Sequence, residues 1–198
     1  MRTRLIDEDE RKFNDRFRRK LFINQYLKQL GWLVNTVNPK TVISLGCGDG
    51  YPDRHVLVKF PLLVLTGIDK DKNKIEKAKI LNPPGNYIVD DILTRRFKAD
   101  EYDLVMCLQV LEHFTNYDLV VRKIKEASKY AIISVPWEPW FSLLSLLGLR
   151  NLKHFGRHPD HVNFWSPVTF KNTLRKHFTS VKIYRSFPWL FALCGDKD

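Results

Sequence analysis

Apolar runs that alternate with amphipathic segments predict an α/β fold, with a doubly wound, mostly parallel sheet and helices on both faces. The strongest observation is "VISLGCGDG", residues 42–50, in which an apolar strand runs directly into a Gly-x-Gly-x-Gly turn. A second apolar run ends at Asp69, about 20 residues further on. This spacing is typical of a nucleotide-binding half-fold, because a ligand can approach bare backbone and the carboxylate can bind a ribose.

Seven apolar runs are predicted as the strands of this sheet. The second is almost continuously apolar, as expected for a strand that is buried on both faces of a parallel sheet. Only a short turn around Phe187-Pro188 separates the last two, so these must be antiparallel and the final strand is reversed. The predicted strands are residues 41–45, 62–68, 87–89, 102–108, 131–135, 181–184 and 189–194.

Segments with helical periodicity lie between these strands. Phenylalanine and leucine recur near the helical period over residues 7–34, and Asn38-Pro39 ends that segment. A second helix is expected to begin near Pro52, since proline is accepted in a first turn. Further helices are predicted over residues 71–81, 119–127 and 166–177, whereas residues 136–165 are predicted to be irregular.

Composition and charge exclude some classes of protein. With 44% hydrophobic and 28% charged residues, the chain is predicted to be globular rather than disordered. The longest apolar stretch, residues 137–149, is too short to cross a bilayer. The charged N-terminus does not resemble a signal peptide. The three cysteines lack metal-ligand spacing and are interpreted as buried thiols, so a cytoplasmic location is expected. A net charge of +11 permits RNA as a partner, although the basic residues are dispersed.

The position of the third glycine indicates which kind of nucleotide is bound. A dinucleotide fingerprint needs that glycine at position 51, where the chain has Tyr51, and here it is Gly50. This variant suits a ligand that has no phosphate to seat, such as S-adenosyl-L-methionine (SAM).

Four segments, in this order, resemble the class I SAM-dependent methyltransferases: "VISLGCGDG", "LTGID", "VDDIL" and "YDLVMCLQVLEHF". The resemblance spans residues 40–195 and implies a Rossmann-like, seven-stranded sheet with a reversed C-terminal strand. It also implies methyl transfer from SAM, with S-adenosyl-L-homocysteine (SAH) as product. The chain is expected to form one domain, residues 1–198. Its predicted parts are an N-terminal helical cover (1–39), a cofactor-binding core (40–135), a substrate lid (136–165), and a C-terminal helix with a hairpin (166–198).

The resemblance further implies which residues bind the cofactor. Asp69 would accept both ribose hydroxyls, with a helix cap as its alternative role. Asp91 would meet the adenine amino group, and Asp90 is the alternative by one register. Ser44 departs from the family, which often has an acidic residue there that helps to fix the glycine turn and the cofactor's amino end. The expected cofactor-binding residues are Ser44, Gly46, Cys47, Gly48, Gly50, Asp69, Lys70, Asp91, Ile92, Leu108 and Gln109.

The residues expected to face the methyl group follow the fourth strand. His113 is the candidate base, with Glu112 beside it, if the acceptor must lose a proton. The alternative role for His113 is to cap the next helix. The segment after strand five resembles that of bacterial methyltransferases that act on small molecules, lipids or sugars, and a hydrophobic lid suits an apolar acceptor. Its candidate lid residues are Trp137, Trp140, His158 and His161, with packing on the core or a dimer contact as the alternative.

Two other functions stay open at this point. The chain resembles, more weakly, the methyltransferases that modify a 2′-hydroxyl at the 3′ end of small RNAs, which carry a Glu-x-x-Glu-His motif and a later histidine. The corresponding residues are Gln109, Glu112, His113 and His161, and glutamine is a poor ligand for Mg²⁺ or Mn²⁺. No metal is therefore predicted, and Glu112, His113 and His161 form the alternative site. A noncatalytic methyltransferase-like subunit is the other alternative, suggested by Ser44 and Gln109.

Overall fold

The computed structural model describes residues 2–147 and 160–196, with side chains from residue 20 onward. Its strands are β1 (Thr41–Leu45), β2 (Val64–Asp69), β3 (Asn86–Val89), β4 (Leu104–Leu108), β5 (Tyr130–Pro136), β6 (Ser180–Ser186) and β7 (Trp189–Gly195). They form one seven-stranded sheet in the order β3-β2-β1-β4-β5-β7-β6. Strands β1 to β5 are parallel, and β7 is antiparallel to both β5 and β6. The predicted sheet with its reversed final strand is confirmed.

Helices cover both faces of this sheet, as predicted. They are α1 (Arg2–Val37), α2 (Tyr51–Lys59), α3 (Lys72–Leu81), α4 (Tyr117–Ala127), α5 (Trp140–Leu147) and α6 (Pro167–Leu174), with a 3-10 helix at Leu111–His113. Buried residues of α1, α2 and α3 share one core, and those of α4 and α6 share the other. Successive side chains of a strand point to opposite faces, so Val42 joins the first core and Ile43 joins the second. The carboxyl ends of the parallel strands therefore meet at one edge, between the two helical layers.

Several element predictions differ from the structure. The fourth strand was expected from residue 102, but β4 begins at Leu104 after a bend, and the helix expected to continue to residue 177 ends at Leu174. Residues 136–165 were expected to be irregular, but α5 forms inside them, where four of its eight residues are leucines, which are good helix formers. The second strand was expected from Leu62, but β2 begins at Val64 because residues 61 and 62 form a turn and Leu62 is exposed. The helix predicted over 166–177 is α6, whose first turn is closed by a capping box from Ser166.

One of the predicted lid residues lies in a part of the chain that the structure does not describe. His158 lies outside the described residues, so its expected role in the lid stays a prediction. Within the described helices, none is long and apolar enough to cross a membrane. All three cysteines are buried and unpaired, as expected.

Candidate active site

The turn between β1 and α2 has a backbone that glycine alone adopts easily. Gly46, Gly48 and Gly50 have φ angles of 66°, 58° and 74°. A Cβ atom on Gly46 would lie 2.7 Å from Cγ2 of Val110, and one on Gly50 would lie 2.5 Å from Nδ2 of Asn82. A Cβ atom on Gly48 would meet no heavy atom within 4 Å, so this glycine faces open space. The turn thus fits a ligand that lies along bare backbone at Gly48.

Asp69, the last residue of β2, hydrogen-bonds to this turn. One carboxylate oxygen accepts a hydrogen bond from the Gly48 amide at 2.9 Å, and the other accepts from the Asp71 amide at 2.9 Å. The cap of α3 is Asp71, which accepts from the amides of Asn73 and Lys74, so the cap alternative for Asp69 is not supported. Each carboxylate oxygen has a second lone pair with which Asp69 can bind ribose hydroxyls.

A salt bridge distinguishes the two candidate carboxylates of the third motif. Asp90 pairs with the guanidinium of Arg95 at 2.6 Å, which engages its carboxylate. Asp91 is exposed and accepts a hydrogen bond from the Leu93 amide, while Ile92 is buried in the core beside it. This arrangement favours Asp91 over Asp90 as the residue that meets an adenine amino group. Lys70 is exposed just beyond Asp69.

A buried network of hydrogen bonds lies beneath the glycine turn, and the sequence analysis did not predict it. The Ser44 hydroxyl donates a hydrogen bond of 2.9 Å to Oδ1 of Asp53, which lies in the first turn of α2. Asn82 donates to the carbonyl oxygen of Gly50 at 2.9 Å and to the Tyr87 hydroxyl at 3.0 Å. Asp53 is 1% exposed, and burial raises its pKa to about 7. A carboxylate thus lies next to Ser44, although it comes from a helix rather than from β1.

The end of β4 is fixed by hydrogen bonds to β5. Gln109 has a φ of 57°, an uncommon conformation for a residue other than glycine. Its amide donates to the Ser134 carbonyl oxygen at 2.9 Å, and its side-chain amide donates to the Ser134 hydroxyl at 3.1 Å. That hydroxyl also lies 2.6 Å from the hydroxyl of Tyr26 in α1. A strained backbone such as that of Gln109 is typical of a functional position, and its neighbour Leu108 is half-buried. The sequence did not predict that Tyr26 contributes to this end of β4.

Three residues predicted as alternative metal ligands lie together beyond β4. One ligand atom from each of Glu112, His113 and His161 lies within 4.8 Å of the others. Glu112 is fully buried, neither carboxylate oxygen has a hydrogen-bond partner among the described residues, and burial raises its pKa to about 8. The Asp160 carbonyl oxygen can only accept, so His113 donates to it from Nδ1 at 3.1 Å, and a neutral ring in this orientation can accept only at Nε2. Asn116, and not His113, caps α4, so the capping alternative is wrong.

The residues after 159 are hydrogen-bonded to the same 3-10 helix. The amides of Val162 and Asn163 both donate to the Glu112 carbonyl oxygen, at 2.8 and 3.3 Å. The side-chain amide of Asn163 donates to the carbonyl oxygens of Leu111 at 3.1 Å and Phe114 at 2.7 Å. These bonds hold this part of the predicted lid against the candidate catalytic residues.

A family model described as a methyltransferase domain matches residues 14–177, which is most of the chain. The chain belongs to this family. It has a methyltransferase domain, and its fold is that of the class I SAM-dependent methyltransferases.

Curated relatives of this methyltransferase match over part of their length. (S)-coclaurine N-methyltransferase of Thalictrum flavum subsp. glaucum is 32% identical over 91 residues, which is 43% of the chain and 25% of that protein. Demethylmenaquinone methyltransferase of Thermotoga maritima is 27% identical over 105 residues, which is 53% of the chain and 46% of that protein. The methyltransferase thus spans between a quarter and about half of these relatives.

Solved structures share its fold. The plantazolicin methyltransferase BpumL, in complex with SAH, superposes with a TM-score of 0.73 at 18% identity and covers 96% of this chain and 91% of its own. The methyltransferase domain of bacterial CtHen1 gives a TM-score of 0.71 at 19% identity, over 89% of this chain and 100% of its own.

In this methyltransferase the predicted lid residues divide into two groups. The Phe141 ring, on α5, lies 5.9 Å from the His161 ring, which in turn lies 5.0 Å from the His113 ring. Trp137 and Trp140 instead lie beside Phe187 in the β6–β7 turn, with ring centroids 6.2 and 6.4 Å apart. The structure therefore brings His161, but neither tryptophan, into ring contact with the histidine that follows β4.

Proposed function

We propose that this methyltransferase transfers the methyl group of SAM to a small-molecule or lipid-like acceptor with apolar character. The observation that carries the proposal is α5, whose sequence "WFSLLSLL" has no charged residue. Leu143 and Leu147 are partly exposed on it, and Phe141 packs beside His161. Through His161, this helix is linked to the candidate catalytic His113, and its apolar residues offer contacts to an acceptor. Apolar lining with few polar groups is typical of small-molecule sites.

In this reaction the chain's residues bind the cofactor, orient the acceptor and, where needed, accept a proton. Bound SAM supplies a methyl group on a sulfonium, which is already an excellent leaving group, so the protein mainly aligns the acceptor and excludes water. Asp69 and the Gly48 backbone bind the cofactor, and Gln109, fixed by Ser134, lines the path of the methyl group. His113 accepts the acceptor's proton at Nε2 where the acceptor must lose one, because Nδ1 already donates to the Asp160 carbonyl oxygen.

The names of the relatives support a small acceptor. Two matched proteins are described as methyltransferases of coclaurine and pavine, one as a methyltransferase of demethylmenaquinone, and one structural neighbour as a methyltransferase of plantazolicin. Because the chain spans only part of the curated relatives, these names support the class of acceptor and not its identity.

The test is a labelling experiment with methyl-labelled SAM and a fractionated cell extract, run with and without EDTA. We expect label in the fraction soluble in organic solvent, unchanged by EDTA. Asp69→Ala is the control, since it removes the cofactor contact and should abolish labelling. Label confined to RNA or protein would contradict the proposal.

A second candidate function rests on the Glu112, His113 and His161 cluster. Divalent cations favour carboxylate and imidazole ligands, and Glu112 offers two buried oxygens without hydrogen-bond partners. With a net charge of +11, this supports a metal-dependent RNA 2′-O-methyltransferase as the alternative. It predicts label on RNA that is lost in EDTA and restored by Mn²⁺, with no Mn²⁺ binding by Glu112→Gln. Labelling that is indifferent to EDTA and to RNase would remove this candidate.

The noncatalytic alternative is less well supported. It was based on Ser44 and Gln109, but Ser44 hydrogen-bonds to a buried carboxylate and Gln109 is fixed by Ser134. Wild-type activity that disappears in Asp69→Ala would exclude it.

A further inference from the structure

Asp53 is a buried carboxylate directly beneath the glycine turn. It is the third residue of α2, whose N-cap is Gly50, so it lies within one helical turn of the expected cofactor backbone. One oxygen accepts a hydrogen bond from Ser44, the residue that replaces the acid often found at that position in the family. The carboxylate thus lies against the end of β1, where the glycine turn begins.

The second carboxylate oxygen of Asp53 is also buried. Oδ2 is shielded from solvent, and the Tyr87 hydroxyl lies close enough to the carboxyl group to lower its pKa. Burying a carboxylate destabilises a protein unless its charge interacts favourably with other groups, so we expect a favourable partner for the ionised form.

The methionine end of SAM presents both a carboxylate and an ammonium group to this turn. The N-terminus of α2 stabilises the carboxylate, because backbone amides and the helix dipole favour negative charge there. The same field disfavours the ammonium, which needs a nearby negative charge. Serine at position 44 carries no charge, and the buried carboxylate that hydrogen-bonds to it is Asp53 of α2.

We infer that Asp53 is a positioning residue for the methionine end of SAM, held in place by Ser44 and acting through the glycine turn rather than by direct contact. It supplies the negative charge that β1 lacks. This goes beyond the proposed function, since it concerns the cofactor and holds for any methyl acceptor.

The inference has a pH-dependent consequence. Burial raises the pKa of Asp53 to about 7, and the groups that face it are Cys47 and Asp49 of the turn, Tyr87 of β3 and Tyr26 of α1. The ammonium of a bound ligand lowers this pKa, so the ligand binds more tightly to the ionised form. Affinity therefore rises with pH through about 7, by about tenfold for each unit by which binding lowers the pKa.

The experiment is isothermal titration calorimetry of SAH at pH 6, 7 and 8, in buffers of different ionisation enthalpy. The wild type is expected to gain about tenfold in affinity from pH 6 to 8 and to release protons on binding near pH 7. Asp53→Asn, which keeps the shape of the side chain, should bind about tenfold more weakly at pH 8 and show neither effect. Glu76→Gln, which removes an exposed carboxylate of α3 that does not face Asp53, is the matched control and should keep both.

A transposed variant separates positioning from a structural role. Ser44→Asp combined with Asp53→Ser moves the carboxylate to β1 and should recover most of the affinity lost in Asp53→Asn. Circular dichroism and thermal unfolding report whether each variant is folded. The inference is overturned if folded Asp53→Asn binds SAH with the affinity, pH dependence and proton release of the wild type.

Discussion

Alanine at Gly46 and alanine at Gly48 should differ in their effect on stability, although both glycines have a positive φ. Forcing a residue with a Cβ into this left-handed conformation costs about 1–2 kcal/mol at either position. At Gly46 the new Cβ would also lie 2.7 Å from Cγ2 of buried Val110, against about 3.5–4.0 Å for a normal contact. Such overpacking adds about 1–3 kcal/mol, so Gly46→Ala should lose about 2–5 kcal/mol of unfolding free energy.

Gly48→Ala is the matched variant, because its Cβ would meet no heavy atom within 4 Å. It should lose only about 1–2 kcal/mol, and each kcal/mol lowers the melting temperature of a domain of this size by about 2–4 °C. Its methyl group would occupy the open space in which we expect the cofactor to lie. Gly48→Ala should therefore weaken SAH binding while it unfolds at a higher temperature than Gly46→Ala.

A double-mutant cycle with Val110→Ala isolates the steric contribution. Removing the two methyl groups of Val110 costs about 1.5 kcal/mol alone but opens space for a Cβ at Gly46. The double variant should therefore be about 1–3 kcal/mol more stable than the sum of the two single effects, measured by urea unfolding. Equal losses for the two glycine variants, or strict additivity in the cycle, would refute the reasoning.

Three further predictions concern other parts of the site. Asp69→Asn should weaken SAH binding about 10–100-fold, since it loses charged hydrogen bonds of about 1.5–3 kcal/mol; a calorimetric affinity equal to wild type would contradict this. Ser134→Ala should lose about 1–3 kcal/mol of unfolding free energy because the buried Tyr26 hydroxyl loses its partner; adding Tyr26→Phe should cost little more, and full additivity would argue against the link. Burial raises the pKa of all three cysteine thiols, so a thiol-reactive disulfide at pH 8 should label them only on unfolding, and rapid labelling of native protein would disprove their burial.

The parts of the site that the sequence predicted depend on short stretches of chain. The glycine turn follows its strand directly, and Asp69 ends the next one, so spacing alone indicated that they meet. The missed contacts join distant positions, such as Tyr26 and Ser134, which are 108 residues apart. Nothing in the local pattern around Tyr26 distinguishes it from the other apolar positions of an amphipathic helix.

Two other differences have separate physical causes. An acidic residue in the first turn of a helix is ordinarily a solvent-exposed partner of the helix dipole, so Asp53 gave no sequence signal of burial. The segment that forms α5 fits either an irregular cover or a helix, because eight residues with two serines are too short to establish a helical period. By contrast, Glu112, His113 and His161 were grouped through a family resemblance, and the structure places their ligand atoms together.

The four hydrogen bonds that Val162 and Asn163 make to the 3-10 helix bear on how such an enzyme can evolve. All four use main-chain carbonyl oxygens of residues 111–114, and only Asn163 contributes a side chain. Under the proposed function, substitutions at the exposed residues Leu143 and Leu147 of α5 would change the contacts offered to an acceptor and leave these four bonds in place. Phe141 differs from them, because its ring contacts His161 and so links α5 to His113.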